Sequence, residues 1–361
     1  MPLTRAAAST FLPGIAPSPA APKNRASSPA GSPPIALGKG VAYFDLPCRS
    51  ILNRCNSERM PFEWTVNPYR GCEFGCTYCY ARYTHEYMGF DDPADFERRI
   101  FVKRDAARAV PRDLRSVAIG SESIAIGTAT DPYQPAERKF RVTRGILEEL
   151  ARGRRLKVSI TTKSSLVTRD LDLLQTIAAR SHLRINLSVT TLDQRLARRL
   201  EPRATSPEKR FQVIETLRKA GLEAGVFLMP VLPGLTDSEA SIEAVVRRAA
   251  RARAGYLLSQ VLFLTSTTRR HFFPFLKREF PDRYRSYQEV YGSAMEHRES
   301  YRRRIHDLVD RLRRRYGVPG TIVEESAAAH RGDAAGEGRS AAPPPSPAAP
   351  REDGTQLSLA L

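Results

Sequence analysis

Short apolar runs recur along the middle of the chain, and each is followed by a stretch with helical spacing. Residues 63–66 predict a first short strand. Residues 123–127 (SIAIG), 157–161 (KVSIT) and 184–189 (RINLSV) predict the next three, and 225–231 (GVFLMPV) and 256–264 a fifth and sixth. Helical spacing covers 142–150, 170–180 and 238–254. Ser206, Pro207 and Glu208 read as N-cap, N1 and N2 of a further helix, which Gly221 closes. Strands alternating with helices predict an α/β fold with a parallel sheet and right-handed crossovers. An open doubly wound sheet and a barrel both satisfy this pattern, and in both the ligands gather at the C-terminal strand ends. Residues 284–316 read as an Arg-rich helical region packed outside the barrel.

Composition separates the ends from the middle. Residues 1–34 and 324–361 hold 13 of the 27 prolines, so they cannot supply a packed core. We expect both to be disordered. The chain has 57 Lys and Arg against 39 Asp and Glu, a net charge of +18. The ends contribute about +3 and −3, so the excess belongs to the middle. Such a balance suits a polyanionic partner such as nucleic acid, and it equally suits an Arg-rich solvated face. No run is apolar enough for a membrane span, and residues 1–30 lack the apolar stretch of a secretory signal, so a cytoplasmic protein is expected.

Three of the five cysteines fall within eight residues, in Asn67-Pro68-Tyr69-Arg70-Gly71-Cys72-Glu73-Phe74-Gly75-Cys76-Thr77-Tyr78-Cys79-Tyr80. The C-x3-C-x2-C spacing after the first strand gathers three soft thiolates. A structural zinc asks for four ligands, and His85, six residues on, is the nearby alternative. A [4Fe–4S] cluster on three cysteines leaves one iron open to a substrate or cofactor. Buried free thiols are the third reading.

This loop resembles the signature of the radical S-adenosylmethionine superfamily, with Tyr78 as its aromatic position. The resemblance spans residues 61 to about 264. It implies a partial (β/α)6 TIM-like barrel and a [4Fe–4S] cluster on Cys72, Cys76 and Cys79. Its open iron would bind S-adenosylmethionine, and reductive cleavage would give a 5′-deoxyadenosyl radical that abstracts hydrogen from a substrate. Tyr78 is similar to the family residue lying against adenine. An electron donor such as flavodoxin or ferredoxin is implied.

Further motifs resemble the spore photoproduct lyase-like branch. They are Gly127-Thr128-Ala129-Thr130-Asp131-Pro132-Tyr133-Gln134, Thr161-Thr162-Lys163-Ser164-Ser165 and Leu187-Ser188-Val189-Thr190. The resemblance turns Asp131, Lys163 and Ser188 toward the cofactor, with Ser165 beside them. The branch's hydrogen-donating cysteine is replaced by Thr128, leaving Cys48 and Cys55 as the thiols outside the cluster. A set of uncharacterised radical enzymes is a closer match, through Arg49-Ser50-Ile51-Leu52-Asn53 and Thr84-His85-Glu86-Tyr87. Glu201 and Arg203 read as a strand-end pair for the methionine carboxylate or a phosphate, or as an ordinary ion pair. The run Met229-Pro230-Val231-Leu232-Pro233-Gly234 reads as a pocket wall.

The last six residues, Gln356-Leu357-Ser358-Leu359-Ala360-Leu361, resemble the peptide by which bacterial replication and repair proteins dock on the DNA sliding clamp. Together these readings divide the chain into a disordered tail (1–38), an extension (39–61), the core barrel (62–268), a helical extension (269–323) and a second disordered tail (324–361). Its expected function is radical enzymology, lyase-like or transferase-like, on nucleic acid. The alternatives are a radical enzyme acting on a small molecule or protein, a zinc-stabilised nucleic-acid-binding module and an electron-transfer protein.

Overall fold

The apolar runs assemble into one sheet because their β-branched and aliphatic residues fit a surface buried on both faces. The computed structural model describes residues 33–56, 60–292 and 295–320. Eleven strands form two sheets among them. In chain order they are β1 (Ala36–Gly38), β2 (Val41–Asp45), β3 (Leu52–Arg54), β4 (Trp64–Val66), β5 (Tyr69–Arg70), β6 (Arg99–Val102), β7 (Ser123–Ile126), β8 (Lys157–Thr162), β9 (His182–Ser188), β10 (Glu223–Val231) and β11 (Leu257–Val261). The larger sheet runs β11-β10-β9-β8-β7-β4-β3. Its six strands from β4 to β11 are parallel, and β3 closes one side antiparallel to β4.

The parallel strands stand in chain order, so each crossover returns beside the strand just left. Right-handed crossovers of this kind carry the helices to one face and curl the sheet. The outermost parallel strands β4 and β11 do not pair with each other, nor do the sheet edges β3 and β11. The barrel is therefore partial and open, as the family resemblance implied, rather than a doubly wound sheet. Val66, Ile126, Ile160, Ile185, Leu187, Val226 and Leu228 form its spine, none more than 1% exposed.

The structure departs from the sequence reading in several places. A four-stranded sheet, β1-β2-β6-β5, stands beside the barrel and was not expected. Its strands come from residues 36–45 and from within the first crossover, where short, widely separated segments leave no periodic pattern to read. β1 also begins inside the stretch expected to be disordered. Ser206 occupies its N-cap position without a side-chain capping bond. Side-chain oxygens of Asp193, Ser238 and Thr265 do cap their helices. The region 284–316 is two helices, Pro281–Gly292 and Met295–Tyr316, preceded by a third, Ser266–Glu279.

The Met295–Tyr316 helix packs on β11 and on the Glu239–Arg251 helix through Ile305, Val309 and Leu312. Several of its arginines face acids. Arg311 meets Glu239 at 2.9 Å, Arg315 meets Glu243 at 3.2 Å and Arg313 meets Asp310 at 2.7 Å. This part of the positive charge is a paired outer face. Among the described residues no helix is long and apolar enough to cross a membrane. The expectations for residues 1–32 and 321–361, including the motif from Gln356 to Leu361, lie outside the described residues.

Candidate active site

The cysteine loop leaves the C-terminal end of β4, and neighbouring segments clamp it from three sides. Gly71 turns it at φ +86°, where a Cβ would stand 2.7 Å from the Phe96 carbonyl oxygen, so only glycine fits. Gln134 Nε2 donates to the Gly71 carbonyl at 3.0 Å and to Thr130 Oγ1 at 2.9 Å, and its Oε1 accepts from the Glu73 amide at 3.0 Å. Arg82 is fully buried and donates to the Cys76 carbonyl at 2.9 Å and to Glu97 at 2.7 Å. The Ser266–Glu279 helix docks from outside, with Thr268 Oγ1 donating to the Cys79 carbonyl at 3.3 Å. A loop satisfied in this way holds its thiols in fixed directions.

Those thiols face a cavity of about 290 Å³. Cys72, Cys76 and Cys79 line it together with Tyr78, Thr128, Asp131, Lys163 and Ser188, and Phe62, Phe74, Phe227 and Met229 supply apolar wall. Pro230 completes the wall expected after the fifth strand. Ser165 and Arg203 stand outside this lining. The Ser165 amide donates to Thr205 Oγ1 at 3.1 Å, and the Arg203 guanidinium lies behind Gly75, 4.0 Å from Glu97. His85 is also elsewhere. It is 1% exposed, ringed by Phe90, Phe96 and Phe101, with Nε2 2.9 Å from the Arg99 carbonyl. It is a core histidine and does not supply a fourth zinc ligand. Neither Cys48 nor Cys55 lines the cavity, and Cys48 Sγ is turned to the Ser50 carbonyl at 3.1 Å.

Polar groups at the strand ends are organised around a buried carboxylate. Glu201 is paired with Arg210, each side chain 1% exposed. Tyr78 Oη also donates to Glu201, and Thr190 Oγ1 donates to it at 2.9 Å. Arg210 completes its fork on the Thr205 and Ser188 carbonyls, each at 2.7 Å. The expected partner of Glu201 was Arg203; the fold supplies Arg210 instead. Burial alone would raise the Glu201 pKa, but Arg210 and Lys163 outweigh it and the carboxyl is held below its usual range. Burial likewise opposes the Lys163 ammonium, and Cys76 and Glu201 more than restore it. Lys163 Nζ stands 5.8 Å from the centre of the Tyr78 ring. Asp131 accepts from Thr162 Oγ1 at 2.7 Å, from the Lys163 amide at 2.7 Å and from the Tyr133 amide at 2.9 Å. It therefore ties the loop after β7 to the end of β8.

Burial pushes all three loop thiols up, Cys76 to about 12, with Lys163 acting against the rise there and Arg82 at Cys79. Three thiols facing one cavity, two of them beside a cation, are a donor set that binding of a soft metal cluster would deprotonate. The residues present thus fit an iron–sulfur cluster.

Relatives place this site in a family. The radical SAM superfamily profile matches residues 66–247. An uncharacterised protein of Mycobacterium tuberculosis is 35% identical over 282 residues, covering 78% of this chain and 83% of its own. An uncharacterised protein of Methanocaldococcus jannaschii is 25% identical over 253 residues, covering 70% and 87%. Among solved structures, spore photoproduct lyase complexed with dinucleoside spore photoproduct superposes with a TM-score of 0.55 at 14% identity, covering 76% of this chain and 79% of that one. A variant of that lyase with bound AdoMet and the same dinucleoside gives a TM-score of 0.54. The chain belongs to the radical SAM superfamily. Membership implies S-adenosylmethionine and a [4Fe–4S] cluster as its cofactors.

Proposed function

We propose that the protein is a radical S-adenosylmethionine enzyme whose Cys72, Cys76 and Cys79 hold a [4Fe–4S] cluster, and that its substrate is nucleic acid. The observation that carries the reading is that three thiols share one cavity with Tyr78, Asp131, Lys163 and Ser188, brought from the ends of four strands. When bound, the cluster and cofactor supply a 5′-deoxyadenosyl radical for hydrogen abstraction. The chain's residues do the rest. Lys163 is the cation lining the cavity and the natural partner for the methionine carboxylate. The Ser188 hydroxyl offers a ribose contact. Tyr78, fixed by Glu201 and Thr190, offers a ring for adenine. Asp131 acts through the backbone it holds. The aromatic wall excludes water, which protects a reactive intermediate from side reactions.

The nucleic-acid assignment is supported by the positive charge of the middle of the chain and by the dinucleoside in the lyase of like fold. A second reading, a small molecule or protein substrate, draws on the cavity itself, whose lining among the described residues carries one cationic side chain among largely apolar ones. Thr128 stands where the branch carries its hydrogen donor, which counts against thymine-dimer reversal by that thiol. A flavodoxin or ferredoxin as reductant, and docking on the sliding clamp through Gln356 to Leu361, complete the proposal. Clamp pull-down with and without the last six residues tests the docking, and equal recovery rejects it.

Anaerobic reconstitution with iron and sulfide, followed by S-adenosylmethionine and dithionite, tests the chemistry. We expect four irons per chain and 5′-deoxyadenosine in the products. A fully loaded protein that releases none overturns the enzyme reading.

A further inference from the structure

The small sheet carries two cations that no acid among the described residues answers. β5 and β6 are antiparallel with Arg70 opposite Phe101, and the Lys103 amide donates to the Pro68 carbonyl at 3.3 Å. Residues opposite each other share a face, as do residues two apart, so Arg70 and Lys103 are diagonal neighbours on one face. Lys103 is 9% exposed and Arg70 is half-buried. Among the described residues, the groups close enough to act on them are Tyr83 for Arg70, and Cys48 and Arg70 itself for Lys103; no carboxylate is among them. Buried arginines elsewhere do have acids, as Arg82 has Glu97 and Arg210 has Glu201. Two adjacent like charges drawn out of water without a counter-ion are costly, and an anion seated on them removes that cost.

Aromatic rings lie beside this pair. Tyr83 and Tyr87 meet edge to face with centroids 5.6 Å apart, and Tyr87 is 56% exposed. Tyr83 is near enough to feel Tyr87, Arg70 and Cys79, so the strip runs from the cysteine loop to the small sheet. Cations beside an exposed ring are the chemistry of single-strand binding, with a phosphate on the cations and a base on the ring.

We infer that Arg70, Lys103 and Tyr87 form a subsite for single-stranded nucleic acid, seating one backbone phosphate between the two cations and one base on Tyr87. The inference rests on the nucleic-acid reading above and adds to it the place where the strand is gripped. An acidic protein such as the reductant suits the strip less well. Lys103 is recessed, so a slender phosphate group reaches it more readily than carboxylates on a broad protein surface, and a reductant has no use for the ring.

The test is fluorescence anisotropy of a labelled single-stranded DNA 12-mer with the reconstituted full-length protein, over a range of salt. Wild type should bind, with affinity falling as salt rises. Arg70→Gln with Lys103→Gln should weaken binding and lower the salt slope by about 0.7, the value for one phosphate contact on a single strand. Tyr87→Ala should weaken binding about tenfold with the slope unchanged. Arg70→Lys should retain most of the slope. Iron content and circular dichroism of each variant establish that it is folded, and Arg70→Gln alone, at the less buried position, serves if the double variant fails. Wild-type binding with unchanged slopes in folded variants overturns the subsite and leaves the nucleic-acid reading standing. Absence of wild-type binding overturns both. Variants that bind DNA normally but are no longer reduced by flavodoxin mark the strip as a reductant surface, and the inference falls.

Discussion

Tyr78 Oη donates its hydrogen bond to the Glu201 carboxylate, joining residues 123 positions apart in the chain. The same carboxylate neutralises Arg210, so one acid orients the cavity's aromatic ring and satisfies a buried guanidinium.

Glu201→Gln should therefore be among the most damaging changes outside the cysteines. It leaves Arg210 buried without its counter-charge, at a cost of about 3–5 kcal/mol in unfolding free energy. Urea denaturation measures this. Glu201→Leu combined with Arg210→Met should recover much of the loss, because the uncompensated charge is gone. S-adenosylmethionine binding should remain impaired in that double variant, since Tyr78 still lacks its acceptor.

Replacing Cys72, Cys76 or Cys79 singly by alanine should abolish a stable four-iron cluster. Iron and sulfide analysis and the visible absorbance of reconstituted protein read this directly. A Cys76→Ala protein holding four irons would remove Cys76 from the ligand set.

Gly127→Ala should destabilise the loop after β7. Gly127 sits at φ +91°, and an added Cβ would lie 2.6 Å from the Thr161 carbonyl oxygen. Strain of about 1–3 kcal/mol is expected from the backbone conformation alone. Thr128, Ala129, Thr130 and Asp131 all line the cavity, so the KM for S-adenosylmethionine should rise as well. Gln134→Leu should act on the other side of the same junction. It removes the bonds to Gly71, Thr130 and Glu73, and should speed cluster loss under a chelator.

Acid should weaken the fold through His85. Burial lowers its pKa to about 4, against about 6.5 in the unfolded chain. The unfolded state then binds more protons between these values. Stability is fully present above pH 6.5 and is lost as pH falls toward 4, with a slope of up to about 1.4 kcal/mol per pH unit from this group. His85→Phe, which keeps the aromatic packing, should flatten that part of the stability-versus-pH curve; an unchanged slope would remove His85 as its source.

Much of the site was legible in the sequence because its chemistry is local. The cysteine spacing sets the ligand loop, and Asp131, Lys163 and Ser188 follow apolar runs that any parallel α/β fold opens toward one end. Other groups left no such trace. Glu201 and Arg203 are neighbours in sequence, yet Arg210 reaches Glu201 because the Pro207–Lys219 helix turns its first turn inward. Arg82 is one arginine among many in a basic chain until Glu97 and the Cys76 carbonyl close around it. Gln134 lies in the Gly127–Gln134 motif, but its grip on Gly71 and Glu73 crosses more than sixty residues. The small sheet was invisible because its strands are two to five residues long and separated by loops.

The excess charge illustrates the same division. Composition determined its size and sequence placed it in the middle of the chain, but neither could say which cations are answered. The tertiary structure pairs Arg311 and Arg315 of the last helix with acids on its neighbour and, among the described residues, leaves Arg70 and Lys103 without one. Side-chain type and spacing are properties of the chain, so the cysteine loop and the alternation of strands and helices were determined there, whereas the order of strands in the sheet was not. Pairing of charges depends on which distant segments share a face, and only packing decided that.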